Sequence, residues 1–212
     1  MLGRTHFFIG TAAALAVLQP QTVPALVAGA GAAAIGGLIS DIDVGTSQAH
    51  RDADKIITAT VAVAVLTILA EYKLNLGIYR RLTSDSSVLR LLTGTAAFLL
   101  ICAYGKQQPH RSFMHSFAAL ALLTACVDII YPDVSAYFAV GFLSHLVLDF
   151  FNRKPEKLFW PWKKGFCLGL CSARGLVNRA LLGCGMVSLA VILVLSAPAG
   201  RLMAKIMRAI YG

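Results

Sequence analysis

Seven stretches of the chain are almost continuously apolar, at 7–19, 23–39, 56–70, 88–104, 113–131, 134–151 and 180–197, and nearly all charge lies between them. Most approach the roughly 20 residues that a helix needs to cross a bilayer. The pattern predicts an all-α, polytopic membrane bundle of six to seven helices, folded as a single membrane-embedded domain over 1–212. Pro20 and Pro24 separate the first two helices, because proline cannot donate the backbone bond that would continue the first. That first run is short, which fits a tilted, thin or re-entrant element. It also imitates a secretory signal, with Ala14-Leu15-Ala16 as an apparent cleavage site, but a second apolar run follows at once and favours an uncleaved helix. Gly29, Gly31, Gly36 and Gly37 thin the second helix, and small residues let helix backbones approach closely in lipid, so it is expected at the centre.

Composition narrows the class further. Hydrophobic residues make up 58% of the chain, above the usage of an ordinary soluble domain, and leave no room for a separate soluble unit. The formal charge of +9 is spread through short loops instead of one basic stripe. Anionic lipid headgroups and membrane topology account for it, and no nucleic-acid partner is expected. Three of the five cysteines, Cys102, Cys126 and Cys184, fall inside apolar runs, where a thiol packs as a small hydrophobe; no disulfide is expected. Cys167 and Cys171 lack the second pair that a zinc finger requires.

If each run crosses once, one membrane face collects His6, the 40–55 loop, the 105–112 turn, the end of the sixth helix and the long 152–179 loop. That face holds twelve of the nineteen Lys and Arg residues, which places it on the cytoplasmic side. Within the long loop, Leu158-Phe159-Trp160-Pro161-Trp162-Lys163-Lys164 reads as an interfacial belt, with a lid over a lipid-facing site as the sharper alternative.

The same face carries the candidate chemistry. Pro109-His110-Arg111-Ser112-Phe113-Met114-His115-Ser116 opens an apolar run with three nitrogen-bearing side chains, and on a helix Arg111 and His115 share a face. Asp41-Ile42-Asp43 ends the second helix, where two carboxylates converge only if the backbone is leaving the helix. His145 and Asp149 lie four apart in an otherwise apolar segment, as metal ligands, as a ligand and its orienting carboxylate, or as a buried hydrogen-bonded pair. Any one cluster has a bland reading as anchor, cap or buried pair. Three on one face favour a metal site, since clustered His and Asp bind zinc, manganese or iron. His6, Asp41, Asp43, His110, His115, His145 and Asp149 exceed the needs of one tetrahedral ion, so two or more divalent ions are expected, zinc ahead of manganese. Arg111, whose planar fork matches phosphate, is expected on a substrate anion, and Asp43 is assigned a catalytic role as well. No serine-hydrolase elbow, phosphate loop or dinucleotide fingerprint is present.

These blocks resemble the LexA-regulated, membrane-bound, metal-dependent hydrolases (YdjM-like). The resemblance is carried by Thr5-His6, Leu38 through Val44 around Asp41-Ile42-Asp43, the Pro109 to Ser116 block, Gly141 through Asp149, and Phe159-Trp160-Pro161, in the family's order and spacing. Ser40 stands for a proline of the pattern, Val44 for a histidine, Met114 for a threonine, and Asn152-Arg153-Lys154 for a Thr-Pro-x-Gly turn; His50 is near enough to replace the missing histidine. Motif style is also similar, more distantly, to the all-helical zinc phospholipase C group. The family resemblance implies a metal-dependent membrane hydrolase, and the more distant likeness points to phosphoester substrates; together they give the expectation of a hydrolase acting on a phospholipid or other lipid-linked phosphoester, with membrane lipids and a lipid-associated substrate as partners. A non-catalytic membrane protein, either a metal-binding transporter or a partner-binding component, is the alternative from another class.

Overall fold

The computed structural model describes residues 2–45, 86–172 and 175–211, together with 51, 52, 55, 69 and 73. His50 and nearly all of the 56–70 run lie outside the described residues. Seven α-helices occur among those described: α1 Gly3–Leu18, α2 Val23–Ile39, α3 Ser86–Lys106, α4 Phe117–Ile130, α5 Pro132–Phe150, α6 Leu176–Leu195 and α7 Ala197–Tyr211. Strands are absent from the described residues, where only two isolated bridges occur, Asn152 with Cys171 and Glu156 with Phe166, both in the loop after α5.

The helix boundaries follow from local chemistry. Gln19 takes a left-handed conformation at φ 43° and closes α1 immediately before Pro20. Thr22 caps α2 by accepting the amide of Ala25 at 3.2 Å, and Ser116 caps α4 by accepting that of Ala119 at the same distance. Among the described residues, four helical segments are long and apolar enough to cross a membrane: α2 with its 3-10 extension (Val23–Asp43), α3, α5 and α6. α1 and α4 are shorter.

α2 is central, as its small residues imply. It packs most extensively on α5, and α1 lies against both while α6 covers the far side of α1. The approach is at backbone distance: a methyl on Gly36 would collide with the Phe138 carbonyl, and one on Gly141 with the Ala33 carbonyl. Ile42, Phe113, Met114, Leu123, Phe138, Phe142 and Leu146 form a buried apolar layer that the 3-10 turns Ser40–Asp43 and Phe113–His115 share with α4 and α5.

Two expectations are corrected. The His110 to His115 block is not on an α-helix: Arg111 has φ 64°, Phe113–His115 form a 3-10 turn, and α4 starts only after the Ser116 cap. A left-handed residue cannot continue a right-handed helix, so the face shared by Arg111 and His115 does not form. The chain also ends in a helix that the apolar runs do not show, α7, because it is amphipathic, with Arg201, Lys205 and Arg208 spaced along it.

The glycine contacts generate a stability prediction. Gly141→Ala should overpack the α2–α5 seam and cost about 1–3 kcal/mol, seen as a lower melting temperature in detergent. Gly31→Ala, where a methyl meets nothing within 4 Å, should leave it unchanged.

Candidate metal centre

Four separate pieces of chain converge at one end of the bundle. α1 supplies His6, the 3-10 turn Ser40–Asp43 supplies Asp41 and Asp43, the turn before α4 supplies His110, Arg111 and His115, and the last turns of α5 supply His145 and Asp149. The 3-10 turn is the departure from the α-helix that two carboxylates two apart need. All seven ligand residues expected from the sequence meet here in three overlapping groups, whose donor atoms lie within 4.8 Å of one another: His6, His145 and Asp149; Asp41, His115 and His145; and Asp43, His110 and His115.

Each imidazole is oriented. His145 Nδ1 lies 2.8 Å from the Gly37 carbonyl, which can only accept, so this nitrogen carries the proton and Nε2 presents its lone pair to the cluster. That lone pair faces His115 Nε2 at 3.3 Å and Asp41 Oδ1 at 3.8 Å. His6 stacks on His145 with ring centroids 3.8 Å apart and reaches Asp149 Oδ1 at 3.4 Å. His115 turns its two nitrogens to different carboxylates, Nδ1 to Asp43 Oδ2 at 3.3 Å and Nε2 to Asp149 Oδ2 at 3.8 Å. His110 bonds Asp43 Oδ1 through Nδ1 at 2.8 Å and is the solvent edge of the cluster, its side chain 38% exposed.

The interior of this cluster is closed to water. His6, His115 and His145 are fully buried, and Asp149 nearly so. His6 Nδ1 has no hydrogen-bond partner, and His6 Nε2 and His115 Nδ1 face carboxylates at 3.4 and 3.3 Å without hydrogen-bond geometry. Orphaned polar atoms are rare in folded proteins and point to a missing partner. With neutral imidazoles, three carboxylates against one guanidinium leave two negative charges in a low-dielectric site, where uncompensated charge is costly. Nitrogen and carboxylate donors with that charge fit a divalent cation of the zinc or manganese kind.

Arg111 is more committed than its expected role on a substrate anion requires. Its guanidinium donates to Asp149 Oδ2 and to the Lys154 carbonyl, while its backbone N–H donates to Asp43 Oδ2 at 3.1 Å. Nε alone is buried without a partner. The left-handed backbone is what lets one residue reach both carboxylates.

Two buried residues escaped the sequence reading. Asn178, on α6, accepts from Thr5 Oγ1 at 3.0 Å and from the Leu2 amide at 3.3 Å, fastening the start of α1 that carries His6. The sequence gives little signal for it, because Asn178 stands beside Arg179 just before the 180–197 apolar run, within the segment read as loop. Glu156 is fully buried, with both carboxylate oxygens unpartnered, and no spacing in the loop singles it out.

A family model, that of the YdjM inner membrane protein family, matches residues 1–210, nearly the whole chain. The chain belongs to the YdjM inner membrane protein family. With four spanning-length helices among its described residues, this YdjM-family chain is a multi-pass inner membrane protein. No curated protein and no solved structure matches it.

Elemental analysis of the detergent-purified YdjM-family protein should find about two divalent ions per chain, as expected for two ligand sets without a common residue. The double variant His145→Ala, Asp149→Ala should lose them while remaining in the membrane fraction.

Proposed function

We propose that this YdjM-family chain is a metal-dependent hydrolase that cleaves a phosphoester of a membrane lipid at the cytoplasmic surface. One observation carries the reading: seven His and Asp side chains, drawn from four separate pieces of chain, converge at a single end of an apolar bundle. A bound divalent cation supplies Lewis acidity and a water of lowered pKa. The remaining work falls to the protein.

Two groups, His6 with His145 and Asp149, and Asp43 with His110 and His115, share no residue and offer separate places for two ions. Gly37 fixes the His145 tautomer, and Asp43 holds His110 and His115 in register. His110, open to solvent on one side, gives protons a way out. Arg111 brings positive charge to the carboxylates that a phosphoryl group would otherwise meet as repulsion.

A substrate that sits in the membrane explains the surroundings. The loop beside the cluster exposes Phe159, Trp162, Leu168 and Leu170, with Lys163 and Lys164 among them, the composition of a headgroup-level belt. Transport through the bundle would need polar side chains along its thickness. At the opposite end Asp128 accepts from Ser135 Oγ at 2.9 Å on an exposed surface, which is a local cap and no continuation of a path.

Assays on mixed micelles of phosphatidate or phosphatidylglycerol should show turnover that a chelator stops and added metal restores. His115→Ala, His145→Ala and Asp149→Ala should each insert normally and fall below detection. A metal-loaded wild type that cleaves neither lipid would overturn the reading in favour of a non-catalytic component.

A further inference from the structure

Among the described residues, Glu156 is the one buried carboxyl near the centre that the ligand groups do not use. It lies in the loop after α5, and its backbone is pinned on both edges: its N–H donates to the Phe166 carbonyl at 3.0 Å, and the Phe166 N–H returns to its own carbonyl at 2.9 Å. Its neighbours are tied to Arg111, since Lys157 N–H donates to the Arg111 carbonyl at 3.0 Å and Lys154 accepts from the Arg111 guanidinium. The loop that carries the side chain is therefore pinned beside the arginine through its backbone, and the carboxyl lies out of water with neither oxygen hydrogen-bonded. Leaving a buried polar group unsatisfied is costly, because its hydration is lost with nothing in return. A site that keeps such a group has a partner for it in its working state.

We propose that Glu156 is the proton donor of the reaction, giving its carboxyl proton to the lipid oxygen that leaves a phosphoryl group held beside Arg111. The inference rests on the hydrolase reading above. Water oxygen bonds to phosphorus, the bond from phosphorus to the lipid oxygen breaks with its electron pair on that oxygen, and the Glu156 proton neutralises it. The attacking water releases one proton to solvent and Glu156 recovers one, so one water is consumed and the carboxyl ends as it began.

The electrostatics agree with the geometry. Burial, and then the negative charge of Asp149, push the Glu156 pKa up to about 8, against an opposing pull from Arg111 and the chain's amino terminus. The acid form is thus the resting form at neutral pH. It is lost as pH rises through that value.

Leaving-group chemistry separates a proton donor from a structural residue. Dioctanoyl phosphatidate releases an alkoxide that needs a proton, whereas 4-nitrophenyl phosphate releases a phenolate that does not. Glu156→Gln should slow the first by about 100-fold and the second by less than about threefold, with unchanged metal content. In the wild type, turnover of phosphatidate alone should fall above pH 8, and infrared spectra should show a protonated-carboxyl band that titrates there and disappears in Glu156→Gln. Equal loss on both esters, or a wild-type band or rate without that titration, would overturn the assignment. Wild type inert towards both esters would instead remove the hydrolase reading and this inference with it. Should the glutamine variant fail to fold, the wild-type pH profiles on the two esters decide alone.

Discussion

Placing His6, His115 and His145 at zero solvent exposure against Asp43 and Asp149 is the constraint on which the rest of this structure depends. An ionised carboxylate alone in an apolar interior costs tens of kcal/mol in the Born limit, so these groups are tolerable only if they reach one another. Reaching one another requires the backbones that carry them to come closer than ordinary side chains permit. Gly36 and Gly141 provide that approach between α2 and α5, and Gly37 lets the His6 backbone carbonyl come within 3.0 Å of where a methyl would stand. The small residues and the polar cluster are two aspects of one arrangement.

The same constraint explains why regular structure breaks where it does. A continuous helix through Asp43 would splay its carboxylate from that of Asp41, and the 3-10 turn Ser40–Asp43 brings both inward. An α-helix beginning at His110 would leave Arg111 unable to bond Asp149 with its side chain and Asp43 with its amide. The chain accepts a left-handed non-glycine residue instead, at a cost on the order of 1–2 kcal/mol, and the charge-assisted bonds to two buried carboxylates offset it. The loop after α5 is then anchored on the residue so placed, through Lys154 and Lys157. α1 is fixed from the other side by Asn178, which holds Thr5 and with it His6.

Much of this was legible in the sequence because lipid leaves few alternatives. Apolar runs near spanning length set the class, and polar residues in or beside spans stand out against their background, so His6, His145 and Asp149 were visible as candidate site residues without any fold. Alternation of faces along the runs brought them to one end. What could not be read was local backbone geometry: nothing in His110-Arg111-Ser112 announces a positive φ, and the apolar composition of 113–131 conceals where the helix begins. α7 was missed because an amphipathic helix lacks the continuous apolar run of a span, although Met203 and Met207 recur at helical spacing between its cations. Glu156 was invisible for a different reason. Its burial is produced by the pairing of its own loop with Phe166 and by the anchorage of that loop on Arg111, contacts that belong to tertiary structure alone.

The way the three ligand groups overlap determines how the two ends of the centre communicate. His145 has committed Nδ1 to Gly37, so it offers the cluster a single nitrogen. His110 has committed Nδ1 to Asp43. His115 differs, because Nδ1 faces Asp43 in one group while Nε2 faces His145 and Asp149 in the other. A neutral ring carries one proton, so whichever nitrogen gives up its proton to serve as a ligand settles what the other can do. A cation held in one half would therefore select the His115 tautomer, and the tautomer would set the donor available to the second half. The two halves meet at one buried ring, so occupation of either would be felt at the other through a single proton.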